Sequence, residues 1–321
     1  MPSNASWDSC LCDLRRPRFQ FVQIPLGFGA FFFNIIILTA IALSKDLRYR
    51  KNCIIIAGLA LADSAEGLAT LLAGLYRSIT LLTNWACTCL SKVECMLLPH
   101  SVIWRWSEFS TSFMLVAVSI DRWLAVHKPL VYYGLDHRYA KKLVATVYLF
   151  GLVNLLISFY HPLANHQLMV AAFCRSSSTV ARLYYQYSKY TASVASFTSV
   201  IIFAHVVLKY RVDKRAKVAV LSDRTRRRRR NELKEMEKVE KKLTVTLAIS
   251  SLCTMLLDCI PRAYGIYITF NPEANFLGQY KNYVFQLTKV NAMANFFIYS
   301  LRHKDINRAM KASVQKKATR R

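Results

Sequence analysis

The chain has 321 residues, 54% of them hydrophobic, and its mean hydropathy is +0.22, yet its formal net charge is +26. A chain that is both this basic and this hydrophobic must keep its charged and apolar residues in separate segments. This composition excludes a disordered chain and disfavours an ordinary soluble enzyme. With only nine glycines and eight prolines, most of the length should form long helices.

Residues 1–18 are charged and contain no apolar run, so we expect them to form an outer tail rather than a cleaved signal peptide. Seven apolar stretches follow this segment. Each stretch can cross about 30 Å of hydrocarbon as a helix. We therefore predict an all-α membrane domain over residues 19–301. Its helices are predicted at about 19–43, 53–76, 96–127, 140–161, 188–210, 234–269 and 282–301.

Basic residues fix the orientation of these helices. With the N-terminus outside, the cytoplasmic segments 44–52, 123–142, 209–242 and 302–321 hold 31 of the 44 lysines and arginines. Such a bias predicts an extracellular N-terminus and a cytoplasmic C-terminus. Anionic lipids of the inner leaflet account for the positive charge, so no nucleic-acid partner is expected.

Two chemical features agree with this orientation. Asn4 begins a glycosylation sequon in the outer tail. Six cysteines fall on the outer side and can form three bridges with open connectivity, or the two Cys-x-Cys pairs can remain free thiols. The six are Cys10, Cys12, Cys87, Cys89, Cys95 and Cys174.

Four motifs resemble those of the rhodopsin-like (class A) G-protein-coupled receptors over nearly the whole chain. They are Asn34 in helix 1, LALAD at 59–63, DRWLAVHKPLVY at 121–132, and Asn291, Asn295, Ile298 and Tyr299 in helix 7. The stretch from Asn295 to Lys311 is similar to the helix 7 to helix 8 junction of chemosensory members, closest to invertebrate chemosensory receptors. The resemblance implies a seven-transmembrane helix bundle, with a short amphipathic helix 8 and a basic tail at 302–321.

The resemblance also implies roles for individual residues. A sodium ion or a water-filled polar network is expected around Asp63, Thr111, Asn291 and Asn295. Activation and G-protein coupling are expected to involve Asp121, Arg122, Trp123, Pro129, Leu130 and Tyr299. In the resting state Arg122 pairs with Asp121, and it is released when helix 6 swings outward. A disulfide between Cys95 and Cys174 would join the top of helix 3 to the second outer loop, while Cys10 and Cys12 can pair with Cys87 and Cys89.

Charged residues in the outer halves of the helices predict a ligand pocket, since charge at membrane depth is commonly functional. On the family arrangement the ligand-binding residues are Glu66, Trp104, Arg105, Glu108, Arg262 and Lys289, with Asp258 nearby. The alternative is that these charges only neutralise one another. Lys289 also fits the opsin pattern KxxAxxN, so it either binds retinal or forms a salt bridge with Glu66 or Glu108.

The sequence departs from the family pattern in ways that matter for signalling. Phe296 replaces the usual proline of helix 7, and the toggle tryptophan of helix 6 is missing beside Pro261. Lys241 stands where an acidic partner for Arg122 is expected, which predicts a weak resting lock and raised basal signalling. The basic run 225–230 either binds lipid or contacts the G protein.

We predict that the protein is a chemosensory receptor of the plasma membrane. It is expected to bind a small polar or charged ligand and to activate a heterotrimeric G protein through movement of helix 6. We predict no enzymatic activity, no cofactor and no metal beyond sodium at Asp63. A retinal-binding photoreceptor is the nearest alternative. A transporter is a further one, but the sequence lacks the internal repeats and broken helices expected of it. The oligomeric state of the protein cannot be deduced from the sequence.

Overall fold

A computed structural model describes residues 18–83, 85, 88–220, 249, 251–270, 280–302 and 306–310. The chain folds as an all-α, seven-transmembrane helix bundle. Helices 1 to 5 are Arg18–Leu43, Lys51–Leu82, Pro99–His127, His137–Ala164 and Arg182–Val220. Helix 6 is described over the π-turn Met255–Cys259 and the α-helix Ile260–Phe270, and helix 7 is Lys281–Arg302. The predictions for Asn4, Cys10, Cys12, Cys87, Lys241, residues 225–230 and the tail 311–321 lie outside the described residues.

Helices 1 to 5 are each long and apolar enough to cross a membrane, within the part of the chain that the structure describes. Helix 7 is long enough to cross as well, but the buried polar residues Lys289, Asn291 and Asn295 lower its mean hydropathy. Those residues face the interior of the bundle, where polar groups at membrane depth find partners.

The helix boundaries differ from the sequence prediction where caps and prolines intervene. The range predicted as one helix from residue 96 is divided into a short helix, Lys92–Leu97, and helix 3, which begins at Pro99. A proline suits the first turn of a new helix because it lacks the N–H needed to continue the previous one. Helix 4 begins at His137, where the Asp136 carboxylate accepts hydrogen bonds from the backbone N–H groups of Arg138 and Tyr139 at 2.9 and 3.3 Å.

Helix 2 continues to Leu82, six residues beyond its predicted end. Arg77 lies in this extra segment, and the prediction ended before it because a charge normally marks a membrane boundary. The structure gives its guanidinium a partner, since Nε donates to the carbonyl oxygen of Phe173 at 3.2 Å. Helix 5 likewise begins six residues earlier than predicted and continues to Val220.

Glycines allow helices 1 and 2 to approach backbone to backbone. A Cβ atom added to Gly67 would lie 2.4 Å from the backbone nitrogen of Phe31, and one added to Gly27 would lie 2.4 Å from that of Leu71. Small residues permit this close packing, which is a principal source of helix association in membranes.

The inner end of the bundle has an apolar core that includes the short helix after helix 7. Residues 306–310 are helical, and Ile306 and Met310 are buried against Ile37, Ile41 and Cys53. This contact fixes the described part of helix 8 against helices 1 and 2.

The outer side contains a disulfide and a small sheet. Cys95 and Cys174 are bonded, as the resemblance implies, with 5.2 Å between their Cα atoms, and Cys89 is also disulfide-bonded. Strand β1, Cys89–Ser91, pairs antiparallel with strand β2, Met169–Ala171. The sequence analysis did not predict this sheet, because three-residue strands have no detectable period.

The short outer helix Lys92–Leu97 begins with a capping box. Ser91 and Glu94 exchange hydrogen bonds between side chain and backbone. The backbone N–H of Ser91 holds the pKa of the Glu94 carboxyl below its usual value. This local fit connects β1 to the helix that carries Cys95.

Candidate ligand pocket and cytoplasmic switch

Helices 2 and 7 are joined by an ion pair in the outer half of the bundle. Lys289 Nζ donates to Glu66 Oε1, and the two side chains are 1% and 4% exposed. The ammonium group also lies 5.1 Å from the ring centre of Trp104 and 5.3 Å from that of Phe285. Of the two carboxylates considered from the sequence, Glu66 is therefore the partner of Lys289.

Glu108 of helix 3 has a different cation, which the sequence analysis missed. Its Oε1 accepts from Lys189 Nζ at 2.5 Å, and its Oε2 lies 3.6 Å from Arg105 Nη1. Lys189 belongs to helix 5. The predicted start of that helix at residue 188 placed Lys189 at the membrane boundary, whereas the observed start at Arg182 places it two turns inside.

Helix 6 contains its own buried pair one turn apart. Arg262 Nε donates to both carboxylate oxygens of Asp258 at 3.0 Å. Asp258 is the fourth residue of the π-turn Met255–Cys259, and Arg262 lies in the first turn of the following α-helix. The pair therefore spans a point where the helical geometry changes.

These charges surround a cavity of about 200 Å³ that opens among helices 1, 2, 3, 5, 6 and 7. Of the six predicted ligand-binding residues, Trp104, Arg105 and Arg262 line it. Glu66, Glu108 and Lys289 do not. Glu108 pairs with lining side chains, Lys289 lies near the rings of the lining residues Trp104 and Phe285, and Glu66 pairs with Lys289.

The end of helix 3 that is predicted to face the cytoplasm has the expected pair in place. Arg122 Nη2 lies 3.4 Å from Asp121 Oδ2, and Asp121 is fully buried. The hydroxyl of Tyr132 donates to Asn52 Oδ1 at 2.7 Å and lies 3.3 Å from Asp121 Oδ2. Burial raises the pKa of this tyrosine well above its usual value, so the hydroxyl stays protonated as a donor.

Comparison with protein families identifies the chain. The model for the 7 transmembrane receptor (rhodopsin family) matches residues 33–299. The chain belongs to this family. It is a multi-pass membrane receptor with a G-protein-coupled signalling role. Members of this family are receptors rather than enzymes, and membership implies a G protein and a small-molecule ligand as partners. A search of curated proteins found no match to the chain.

The receptor's second inner loop presents an apolar surface beside the Asp121–Arg122 pair. Pro129 begins the short helix Pro129–Gly134, and Leu130 is 88% exposed. Tyr132 anchors this helix, and Lys51 Nζ lies 3.7 Å from the centre of its ring. The loop is thus fixed to helices 2 and 3 while Leu130 remains free for contact.

Trp123 packs against other aromatic rings of the receptor. Its ring stacks on His127 with 4.7 Å between ring centres, and His127 stacks on His205 of helix 5 at 4.9 Å. His127 therefore makes the contact between helices 3 and 5, and Trp123 packs behind it on helix 3. Tyr299 belongs to helix 7 by its backbone, and its side chain lies outside what the structure describes.

A polar network lies below the charged layer of the receptor. Asp63 is 1% exposed and accepts a hydrogen bond from Asn295 Nδ2 at 3.1 Å. Thr111 Oγ1 and Asn291 Oδ1 are buried, and neither makes a hydrogen bond with any residue that the structure describes. Hard cations prefer such carboxylate, hydroxyl and carbonyl oxygens, so the residues present fit a sodium ion.

Proposed function

We propose that this receptor is chemosensory, that it lies in the plasma membrane with its N-terminus outside and its C-terminus in the cytoplasm, and that it activates a heterotrimeric G protein. A small polar or charged ligand binds in the outer half of the bundle. The observation that supports this most directly is the position of helix 6, because Pro261, Arg262, Gly265 and Ile266 all line the cavity. A ligand there contacts the helix that has to move.

Helix 6 lacks the toggle tryptophan of the family, so other residues of this helix must transmit the binding of a ligand. Arg262 lines the cavity and is held by Asp258, which lies within the π-turn. A ligand group that competes for Arg262 changes this pair. Because a π-turn and Pro261 both interrupt the regular backbone hydrogen bonds, helix 6 can bend here.

The cytoplasmic features support G-protein coupling. Releasing Arg122 from Asp121 frees a cation at the inner end of helix 3, and Leu130 offers an exposed apolar contact a short distance along the chain. The basic third inner loop suits anionic inner-leaflet lipids or the same G protein. Coupling is therefore proposed to depend on Arg122 and Leu130.

Asp63, Thr111 and Asn291 are the residues that would hold sodium. The ion would supply positive charge against a carboxylate buried at membrane depth, which lowers the cost of keeping Asp63 ionised. Asn295 already donates to Asp63 from helix 7. Asn34 of helix 1 donates to the carbonyl oxygen of Ala292 at 3.2 Å, which gives helix 7 a second polar contact.

A retinal-binding photoreceptor is the second candidate, and one observation favours it. Glu66 lies against Lys289, where a counter-ion for a protonated Schiff base would be needed. The cavity does not suit an apolar polyene, however, because its wall is rich in arginine and glutamine and Lys289 is not part of it. The transporter reading gains no supporting observation from the described residues.

The test is nucleotide exchange on a panel of heterotrimeric G proteins in membranes containing the receptor. We expect ligand-independent exchange above that of membranes without receptor, since the resting lock is predicted to be weak. Arg122→Ala should reduce it to background and Leu130→Ala should weaken it. Leu156→Ala, at an exposed position of helix 4 far from the inner loops, serves as the control. Exchange at background with every G protein, despite surface expression, would refute the proposal.

A further inference from the structure

The wall of the cavity is strongly cationic. Five of its residues carry positive charge: Arg77, Arg105, Arg175, Lys189 and Arg262. No aspartate or glutamate lines it among the residues that the structure describes. The five cationic residues come from helices 2, 3, 5 and 6 and from the second outer loop, so the positive charge surrounds the cavity instead of forming one patch.

Nearby carboxylates neutralise only part of this charge. Glu108 forms ion pairs with both Arg105 and Lys189, and Asp258 forms an ion pair with Arg262. Glu66 is taken by Lys289, which does not line the cavity. With Arg175 left out of the count, four lining cations, Arg77, Arg105, Lys189 and Arg262, against two carboxylates leave an excess of two positive charges within the described part of the pocket.

Two of the arginines also have unused donors. Arg105 is 2% exposed; its Nη1 faces Glu108 Oε2 at 3.6 Å, beyond hydrogen-bond distance, and its Nη2 makes no hydrogen bond to the residues described here. Arg262 is 5% exposed, and its Nη1 likewise makes no hydrogen bond to the residues described here. A buried guanidinium with unsatisfied donors is costly unless an acceptor is supplied. Both side chains line the cavity, so a bound ligand can supply it.

We infer that the ligand is a small, water-soluble anion with at least two negative charges, carried on carboxylate or phosphate oxygens. This inference rests on the proposed function and specifies its ligand. Arginine binds both groups through paired N–H donors, which matches the free donors of Arg105 and Arg262. A cavity of about 200 Å³ lies below the range of roughly 300–1,000 Å³ typical for drug-sized ligands, so the anion must be compact.

The position of the remaining cations suggests how the anion enters. Arg175 is exposed on the second outer loop, immediately after Cys174 and adjacent to Ser176 and Ser177, which also line the cavity. A cation at the mouth of a cleft raises the local concentration of anions. Arg175 therefore attracts the ligand, while Arg105 and Arg262 bind it deeper inside.

The test measures thermal unfolding of the purified full-length receptor in nanodiscs of neutral phosphatidylcholine. Citrate, succinate and inorganic phosphate are titrated as sodium salts, with sodium chloride at matched ionic strength and the neutral analogue succinamide as controls. We expect a saturable rise in the unfolding temperature with at least one of the three anions and none with succinamide.

Three variants locate the effect. Arg262→Gln should abolish the rise, and Arg175→Gln, which is exposed and should fold normally, should weaken the apparent affinity by about tenfold, the value of one charge-assisted hydrogen bond. Arg138→Gln, an exposed cytoplasmic arginine, should behave as wild type. No rise with any anion, or a rise that persists in both pocket variants, would overturn the inference.

Acids of the chain itself are the competing source of negative charge. Asp8, Asp13 and Glu273 belong to outer segments outside the described residues. If the triple variant D8N/D13N/E273Q binds anions and the wild type does not, the chain neutralises its own pocket and the inference is wrong. Nucleotide exchange in the same preparations separates the two proposals, since a receptor that couples but shows no anion effect refutes only the ligand.

Discussion

Lys289 of helix 7 and Glu66 of helix 2 form an ion pair from which solvent is almost completely excluded. Trp104 and Phe285 border the ammonium group, so the pair is enclosed by aromatic rings as well as by the helices. Removing one member leaves the other charged and unpaired, whereas replacing both removes the need for either.

Lys289→Met should therefore destabilise the receptor by about 3–5 kcal/mol, the cost of breaking a buried ion pair. The double variant Lys289→Met, Glu66→Gln should recover most of this loss, because the remaining amide is neutral. Thermal unfolding of the single and double variants in one detergent would measure the coupling. Equal losses in the two proteins would show that the pair does not stabilise the fold through its charges.

The same pair leads to a prediction about retinal. The protonated Lys289 ammonium is held by Glu66 and lies outside the cavity, so it should not form a Schiff base. Incubating the purified receptor with retinal isomers in the dark should give no visible absorption band, either in the wild type or in Lys289→Ala. A band in the wild type that vanishes in Lys289→Ala would establish the photoreceptor and make Glu66 its counter-ion.

Gly67→Ala should prevent normal folding of the receptor. Its Cβ would lie 2.4 Å from the backbone nitrogen of Phe31, a contact that only separation of helices 1 and 2 can relieve. Surface expression and thermal stability should both fall sharply. Gly265→Ala is the matched control, because no described residue beyond its own helical turn lies within 4 Å of its added Cβ, and alanine favours a helix. Comparable behaviour of the two variants would contradict the proposed close packing.

The sequence predicts adjacency along one helix better than contacts between helices. Asp121 and Arg122, or Arg105 and Glu108, are close because they are neighbours on one element. The partner of Lys289 could not be chosen between Glu66 and Glu108, since that depends on the rotation and depth of three helices. Lys189 was missed for a related reason, because its depth follows from where helix 5 begins.

Neutralising the carboxylate of the Asp121–Arg122 pair should raise basal signalling. Asp121→Asn removes the attraction that holds Arg122 at 3.4 Å, and a loss of about 1 kcal/mol would raise the active population about fivefold. Nucleotide exchange without ligand is the readout. Asp136→Asn is a suitable control: it lies in the loop that follows helix 3, is exposed, and keeps a side-chain oxygen that can cap helix 4. Unchanged exchange in Asp121→Asn would argue against a resting lock.

Sodium should stabilise the receptor through Asp63. Three buried oxygen-bearing side chains, Asp63, Thr111 and Asn291, belong to helices 2, 3 and 7, and two of them lack hydrogen-bond partners in the described structure. A cation bound among them would connect the three helices in the resting arrangement. The unfolding temperature should therefore rise in sodium chloride relative to choline chloride at equal ionic strength.

Asp63→Asn should remove this sodium effect while keeping the size of the side chain, and Thr111→Val should reduce it by removing one oxygen. In both variants the response to choline chloride should match the wild type, which separates ion binding from general salt screening. A water-filled network without an ion predicts the opposite result: equal unfolding temperatures in the two salts for the wild type. That outcome would leave Asp63 dependent on Asn295 alone for its described polar contact.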